Sequence, residues 1–466
     1  MVEWITSIND FVNGIVSGPP FIILLAGTGL YLTIRLGFFQ FTHLRHAWRH
    51  SFGRMFRRDA DSDDGAITPF QAVTSAMAAT IGVGNIAGVA TAIASGGPGA
   101  IFWMWMVALV GMATKMAEVT LGLKYRNIDA DGHVSGGVFY YIEKGLGPRW
   151  RWLAVTYAFF AGLAAFGIGN MVQSNTLADA VSQATGGQVP AWLTGVVAVV
   201  LVGAVTLGGI GRIAVTAEKL VPIMAAAYLI GGLGVLVIHV TDIPAALGMI
   251  VEHAFKPMAA VGGFTGASVA MAIRYGVARG IFSNEAGLGS ASIVHAQARN
   301  TPFRQGFWGV WEVFIDTLVV CTMTALVILL TGVLGSVDEN GDLIDGAVLT
   351  TTAFTQGLPG PGGYVVLIAI IFFAYTTMLT WNFYGEKSWE YLFGRRVVLP
   401  YRLIFLVFVF LGAIGALQLV WNIAETLNGL MAAPNLIALV LLAGVMAREK
   451  KNYFLGLGKP SKTDAK

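Results

Sequence analysis

Two stretches of this chain hold residue types that a helix tolerates poorly and that an ion or a zwitterion can use. The first is TIGVGNIAG at 80–88; the second is GIFSNEAGLG at 280–289. Glycine and asparagine are weak helix formers, so each run interrupts a helix rather than continuing it. An interruption bares N–H groups at the start of one half-helix, where the dipole favours an anion. It also frees carbonyl oxygens, which suit a hard cation such as sodium. Glycine lets the backbone approach such a ligand closely. Either run taken alone reads equally well as glycines packing helices together.

Other polar residues lie in apolar surroundings. Asn170, Gln173 and Ser174 share one helical face, where they hydrogen-bond either a ligand's ammonium or carboxylate or a neighbouring helix. Thr376 and Thr377 offer hydroxyls that either complete a sodium shell begun by carbonyls near Thr80 and Val83 or bond back to their own helix. Arg279 and Glu285 read as a buried pair bracing the second interruption, and Lys115 and Glu118 as a structural pair. Glu312 and Asp316, four apart, share a face, as a gate or as packing.

The elements that must hold these residues are membrane helices. The chain is 56% hydrophobic and only 12% charged, with a mean hydropathy of +0.70. A soluble chain carries about a quarter charged residues, so too few remain here to coat a water-facing surface. Lipid demands helices of about 20 apolar residues or a closed barrel, and the apolar runs are long and do not alternate. Eleven segments qualify, near 18–38, 67–96, 98–123, 152–180, 190–209, 217–240, 264–295, 307–334, 364–388, 399–418 and 420–447. The expected class is therefore an all-α polytopic membrane protein with 11 transmembrane helices.

Positive charge collects on the cytoplasmic side. Arg45, Arg49, Arg54, Arg57 and Arg58 follow the first span, and the later inner loops continue the pattern through Lys387, Arg395, Arg396 and Arg402 to Lys450, Lys451, Lys459, Lys462 and Lys466. Between 305 and 386 there is no Lys or Arg, although that stretch holds Asp338, Glu339, Asp342 and Asp345. The N-terminus is thus expected outside and the C-terminus in the cytoplasm. The stretch 136–145 is too short and polar to cross and reads as an interfacial or re-entrant segment; 243–255 reads as a helix on the outer surface.

The two interruptions fall in spans two and seven. An odd offset gives two halves of opposite orientation, and paired interruptions at matching positions mark an inverted-repeat transporter with its site between them. The organisation that follows is an extracellular N-terminus, peripheral first span and basic loop at 1–66, a first five-helix repeat at 67–240, an outer loop at 241–263, a second repeat at 264–447, and a basic tail at 448–466. No phosphate-binding loop, HExxH or GxSxG stands out, and the single Cys321 has no partner for a disulfide or a Cys/His metal site. These absences argue against an ATP-driven pump and an enzyme. Residues 1–13 lack the basic start of a cleavable leader.

Several segments resemble the alanine or glycine:cation symporter family, also called sodium:alanine symporters. They are TIGVGNIAG at 80–88, GGPGAIFW at 96–103, GVARGIFSNEAGLGS at 276–290 and WNFYGEKSW at 381–389. The resemblance runs from about 68 to 396 and implies a leucine-transporter-type inverted repeat, spans 2–6 and 7–11, with an extra N-terminal helix. It implies sodium-coupled uptake of alanine, glycine or a close relative across the plasma membrane, the inner membrane in a prokaryote. It places the substrate at Thr80, Gly82, Gly84, Asn85, Gln173, Phe282, Ser283 and Asn284, closed by Trp381, and sodium between the first interruption and Thr376 and Thr377. The alternatives are a proton-coupled symporter, with Glu285 or Glu312 as carrier, and an ion channel.

Overall fold

The computed structural model describes residues 2–16, 18–54, 65–259, 266–338, 341–415 and 418–457. Arg57, Arg58, Glu339, Lys459, Lys462 and Lys466 lie outside the described residues. The described chain is helical apart from a two-stranded antiparallel ribbon, Asn127–Ile128 with Val134–Ser135, and isolated bridges. Among the described residues eight helices are long and apolar enough to cross a bilayer, nine when Pro69–Thr80 and Gly84–Gly96 count as one bent span. Helices are forced here because lipid offers no partner for an unpaired peptide group. Of the remaining expected spans, Ala191–Thr206 has 16 residues, just short of the usual crossing length. The other, at 264–295, is divided into Val269–Asn284 and Ala291–His295.

Peripheral helices carry their large apolar side chains outward. Ile223, Ile230 and Val237 of Ile210–Ile238 are 65%, 70% and 71% exposed, as a lipid-facing surface requires. Gly99–Lys124 runs the other way, through the interior, packed on Val269–Asn284 and Pro302–Val313. The long helix Gly362–Phe393 packs on Pro69–Thr80 and Arg151–Phe166. The segment expected at the interface is a short helix, Val138–Leu146, with Val138, Phe139, Tyr141 and Ile142 buried. The one expected on the outer surface is Ile243–His253, which lies against Gly99–Lys124. There Trp103 Nε1 donates to the Ala254 carbonyl at 3.1 Å.

Both interruptions are real breaks with local causes. Pro69–Thr80 starts at a capping box in which Thr68 and Gln71 bond each other's backbone N–H. It stops at Ile81, whose ψ of 86° is not helical. The Gly82 N–H then donates to Asn85 Oδ1 at 2.8 Å, so the asparagine side chain caps the second half from inside. The chain resumes as a wide turn, Gly84–Gly88, followed by Val89–Gly96, bent by 49° from the first half. In the second break, Val269–Asn284 ends at Glu285, which adopts a left-handed φ of 55°. Gly287 and Gly289 follow at φ 103° and 79°, values that L side chains reach only with strain. The short helix Ala291–His295 follows.

Candidate functional site

The two breaks meet in the interior. Asn85 Nδ2 donates to Ser283 Oγ at 3.0 Å and to Asp316 Oδ1 at 2.7 Å, while Ser283 Oγ donates to Asp316 Oδ2 at 2.9 Å. Thr317 Oγ1 also bonds Asp316 Oδ2, at 2.8 Å, and receives the Asn284 amide at 3.0 Å. One carboxylate therefore gathers the polar side chains of both breaks. It projects from Phe314–Cys321, a wide-turned stretch of the kind that recurs at functional sites. Asp316 is fully buried, and among the described residues no Lys, Arg or His stands within ion-pair distance of it. A carboxylate in that position is stable only when neutralised by a proton or a cation.

The expected site residues fall into three groups. Asn85, Ser283 and Asn284 belong to this network. Thr80, Gly82, Gly84, Gln173, Phe282 and Thr377 line its surroundings. Thr377 Oγ1 donates to the Ala78 carbonyl at 3.0 Å and sits 2.7 Å from where a Cβ on Gly82 would lie. Its hydroxyl thus rests against the frayed end of Pro69–Thr80. Gln173 spends its amide on the Ile168 carbonyl at 3.0 Å, leaving a buried Oε1 with no protein partner. That oxygen is 3.8 Å from the same Gly82 Cβ position. A buried acceptor aimed at a break fits an ammonium donor. Gly84 faces the Phe282 ring, 3.1 Å from its would-be Cβ. Thr80 bonds weakly to its own helix, at the Met77 carbonyl, 3.4 Å.

The third group points elsewhere. Asn170 Nδ2 bonds the Phe405 carbonyl at 2.7 Å, linking two helices. The Thr376 hydroxyl returns to the Phe372 carbonyl of its own helix at 2.9 Å. Val83 is buried beside Gly82. Trp381 packs its base on Gly169, where a Cβ would stand 2.1 Å from the Trp381 Cβ. Its indole N–H donates to Glu285 Oε1 at 2.9 Å.

Two expected pairings are corrected. Arg279 does not brace the break through Glu285; it pairs with Glu425 at 2.5 Å. Six residues on a helix turn through about 600°, which puts the two side chains on different faces. Lys115 pairs with Glu312 at 2.9 Å, not with Glu118. Glu118 Oε1 instead accepts the N–H groups of Gly287 and Gly289 and the Asn435 amide, at 2.9, 3.1 and 2.7 Å. The unwound segment is thus held by a carboxylate from Gly99–Lys124.

A cavity of about 770 Å³ opens above the first break. Its wall includes Ala87, Thr91, Asp179, Gln183, Asp345 and Tyr364, and its floor Arg279, Trp421 and Glu425. There the Arg279–Glu425 pair spans two helices, the Arg279 guanidinium lies 5.8 Å over the Phe282 ring, and Phe282 stacks on Trp421 at 5.8 Å. The Arg279–Glu425 pair and Trp421 of the cavity lining thus contact Phe282, the neighbour of Ser283 in the Asn85–Ser283–Asp316 network.

A family model for the sodium:alanine symporter family matches residues 2–464. The chain belongs to the sodium:alanine symporter family. It is 47% identical over 455 residues to the sodium/alanine symporter AgcS of Methanococcus maripaludis, covering 97% of this chain and 98% of that one. It is likewise 47% identical to an uncharacterized transporter of Haemophilus influenzae, covering 97% and 96%. The crystal structure of MhsT in complex with L-phenylalanine superposes with a TM-score of 0.56 at 12% identity, over 84% of this symporter and 99% of that chain. The fold is that of a helical membrane transporter of the leucine-transporter type. Family membership makes the chain a multi-pass transporter for alanine-type substrates. Asp316 stands out from sequence only as a gate or packing residue beside Glu312; its bonds to both breaks, the Arg279–Glu425 pair and the partners of Lys115 and Glu118 are not legible there. The only signal available was that ionisable groups at membrane depth are costly and usually functional.

Proposed function

We propose that this symporter carries alanine, glycine or a similarly small neutral amino acid into the cell with sodium, by alternating access. The observation that carries this reading is the convergence of two broken helices on one buried polar network, beside the unpaired Gln173 acceptor and the Thr377 hydroxyl. The substrate carboxylate would meet the N–H groups bared at the breaks, and its ammonium would meet Gln173 and nearby carbonyls. Phe282, Gly84 and Trp381 crowd the remaining space, which favours small side chains. Thr80, Gly82, Asn85, Ser283 and Asn284 complete the substrate site, with Asn170 behind it. Sodium would bind between the frayed end of Pro69–Thr80, including Thr80 and Val83, and Thr376–Thr377.

Eleven spans, ten of them in two inverted five-helix repeats at 67–240 and 264–447 and one N-terminal to both, would account for the opposed breaks. With the N-terminus outside and the basic loops inside, the large cavity faces outward, and the Arg279–Glu425 floor closes over the occupied site. Each sodium charge moving inward gains about 2.3 kcal/mol per 100 mV of membrane potential, enough to drive accumulation without ATP. Labelled alanine uptake into proteoliposomes tests the reading: uptake should exceed the equilibrium level only with an inward sodium gradient, and equal uptake in choline would defeat it. Asp316 favours one second reading, proton coupling, because a buried carboxylate without a cation can carry a proton. Accumulation driven by a pH gradient in sodium-free medium would select it.

A further inference from the structure

Four buried groups beside the second break have no part in the scheme above. Glu312 Oε1 lies 2.9 Å from Lys115 Nζ; the contact is one of charge, its angles outside those of an aligned hydrogen bond. Lys115 in turn donates to the carbonyl of Asn284 at 3.0 Å, the last residue of Val269–Asn284. Glu312 Oε2 lies 3.3 Å from Nε2 of His295, the last residue of Ala291–His295. On the far side of that ring, Nδ1 stands 2.8 Å from Gln305 Nε2. Gln305 receives the Asn300 amide on its Oε1 at 2.7 Å, so its own amide must be the donor to Nδ1. The hydrogen-bond network therefore puts the imidazole proton on Nε2, facing Glu312. Lys115, His295, Gln305 and Glu312 are all fully buried.

The two oxygens of Glu312 are thus divided between the two halves of one broken span. Through Lys115 it reaches the end of the first half, and through His295 the end of the second. The backbone between the two half-helices, 285–290, has few helical hydrogen bonds of its own to fix its length. We propose that Glu312 is a positioning residue: it ties the halves of the second break together and sets how far apart they stand around a bound amino acid. Opening the site toward the cytoplasm then requires one arm of this tie to let go. The inference rests on the transport reading for its kinetic consequence but not for its structural one.

Cys321 is a built-in reporter. It is the only cysteine in the chain, fully buried, with its Sγ 3.2 Å from Ser283 Oγ. A small membrane-permeant maleimide reaches it only when the break opens. Removing one charge alone strands the other and can prevent folding, so the test uses Lys115→Met/Glu312→Gln, which removes both. If the tie positions the break, this protein melts close to the wild type yet alkylates Cys321 about tenfold faster, the effect of losing one buried bond to a charged group. Its alanine KM rises by a similar factor while turnover at saturation stays within about threefold. His295→Asn, which shortens one arm and leaves the Lys115–Glu312 pair, should move the alkylation rate in the same direction. A wild-type alkylation rate and KM in a folded double variant would overturn the proposal, as would an unchanged alkylation rate in His295→Asn if the double variant does not fold. A wild-type protein that neither binds nor carries alanine would defeat the transport reading and leave the alkylation comparison standing.

Discussion

Replacing Thr377 by alanine separates an ion ligand from a helix-to-helix strut. In the structure the Thr377 hydroxyl donates to the Ala78 carbonyl at 3.0 Å and covers Gly82. If that bond is all the hydroxyl does, its loss costs about 0.5–1.5 kcal/mol of stability. That cost would fall on the empty and occupied protein alike, leaving the sodium dependence of uptake nearly unchanged. If the oxygen also binds sodium, the variant loses a contact to a charged group, worth about 1.5–3 kcal/mol. That corresponds to about a 10- to 150-fold rise in the sodium concentration for half-maximal uptake, at about 1.4 kcal/mol per factor of ten. Thr377→Ser keeps the oxygen and should stay within about threefold of wild type, since only a methyl group is lost. The assay is initial alanine uptake in proteoliposomes across a sodium series, with choline holding ionic strength constant. Alanine KM at saturating sodium serves as the control. Identical sodium curves for wild type and Thr377→Ala would remove Thr377 from the ion site. Equal large shifts in the Ser and Ala variants would show that packing, not the oxygen, matters.

Gly169→Ala should fail outright, because its Cβ would fall 2.1 Å from the Trp381 Cβ, close to backbone that cannot yield; detergent size-exclusion profiles and melting should show loss of the folded peak. Arg279→Met breaks the only ion pair on the cavity floor among the described residues. A weakened floor should speed alanine dissociation by about fivefold or more, as removal of one partner of a partly buried pair does, while leaving the sodium half-saturation constant in place; stopped-flow release would show it. His46, on the basic loop after the first span, has its pKa pushed down to about 4, first by burial and then by His50, His43 and Arg49. Because the folded state resists protonation, stability conferred by neutral His46 is complete above about pH 6.5 and is lost as pH falls toward 4. Melting curves from pH 7 to 4 should decline less steeply in His46→Gln.

How much of this could be read from residues alone divides along a physical line. Both breaks were visible because helix propensity is local: three glycines and an asparagine within 80–88 announce themselves. Asn85 and Ser283, inside those runs, could be picked out for the same reason. The partners that complete the site were not visible, because they come from far away in the chain. Asp316 is 231 residues from Asn85, and Glu118 reaches Asn435 across 317. Sequence spacing says which residues share a face, but not which other helix that face meets. The misread pairs show this limit. Lys115 and Glu118 do share a face, yet each finds a stronger partner on another helix, Glu312 for one and the bare N–H groups of the second break for the other. The segment at 264–295 reads from sequence as one interrupted span, and the structure divides it into Val269–Asn284 and Ala291–His295 because the residues between them bind neighbouring helices.

Both breaks are tied to neighbouring helices, but by different groups. The first combines a local cap with contacts from distant helices. Gly82 lies against Thr377, Gly84 against Phe282, and the Asn85 side chain closes on the backbone three residues back. Only the Asn85 cap is local; Thr377 and Phe282 belong to other helices, and Asn85 is also bonded to Ser283 and Asp316. The second is held by Glu118, Lys115 and, through Trp381, by Gly362–Phe393. Those bonds link the second break to two other helices, Gly99–Lys124 through Glu118 and Lys115, and Gly362–Phe393 through Trp381. In a low-dielectric interior such bonds cannot be stretched by degrees; they are exchanged or kept. A change in the relation between Gly99–Lys124 and the second break must therefore be registered at 285–290, where Glu118 holds the bare N–H groups. Substitution of Glu118 by glutamine is expected to slow the transition between states more than it weakens alanine binding, which single-turnover uptake against equilibrium binding would show.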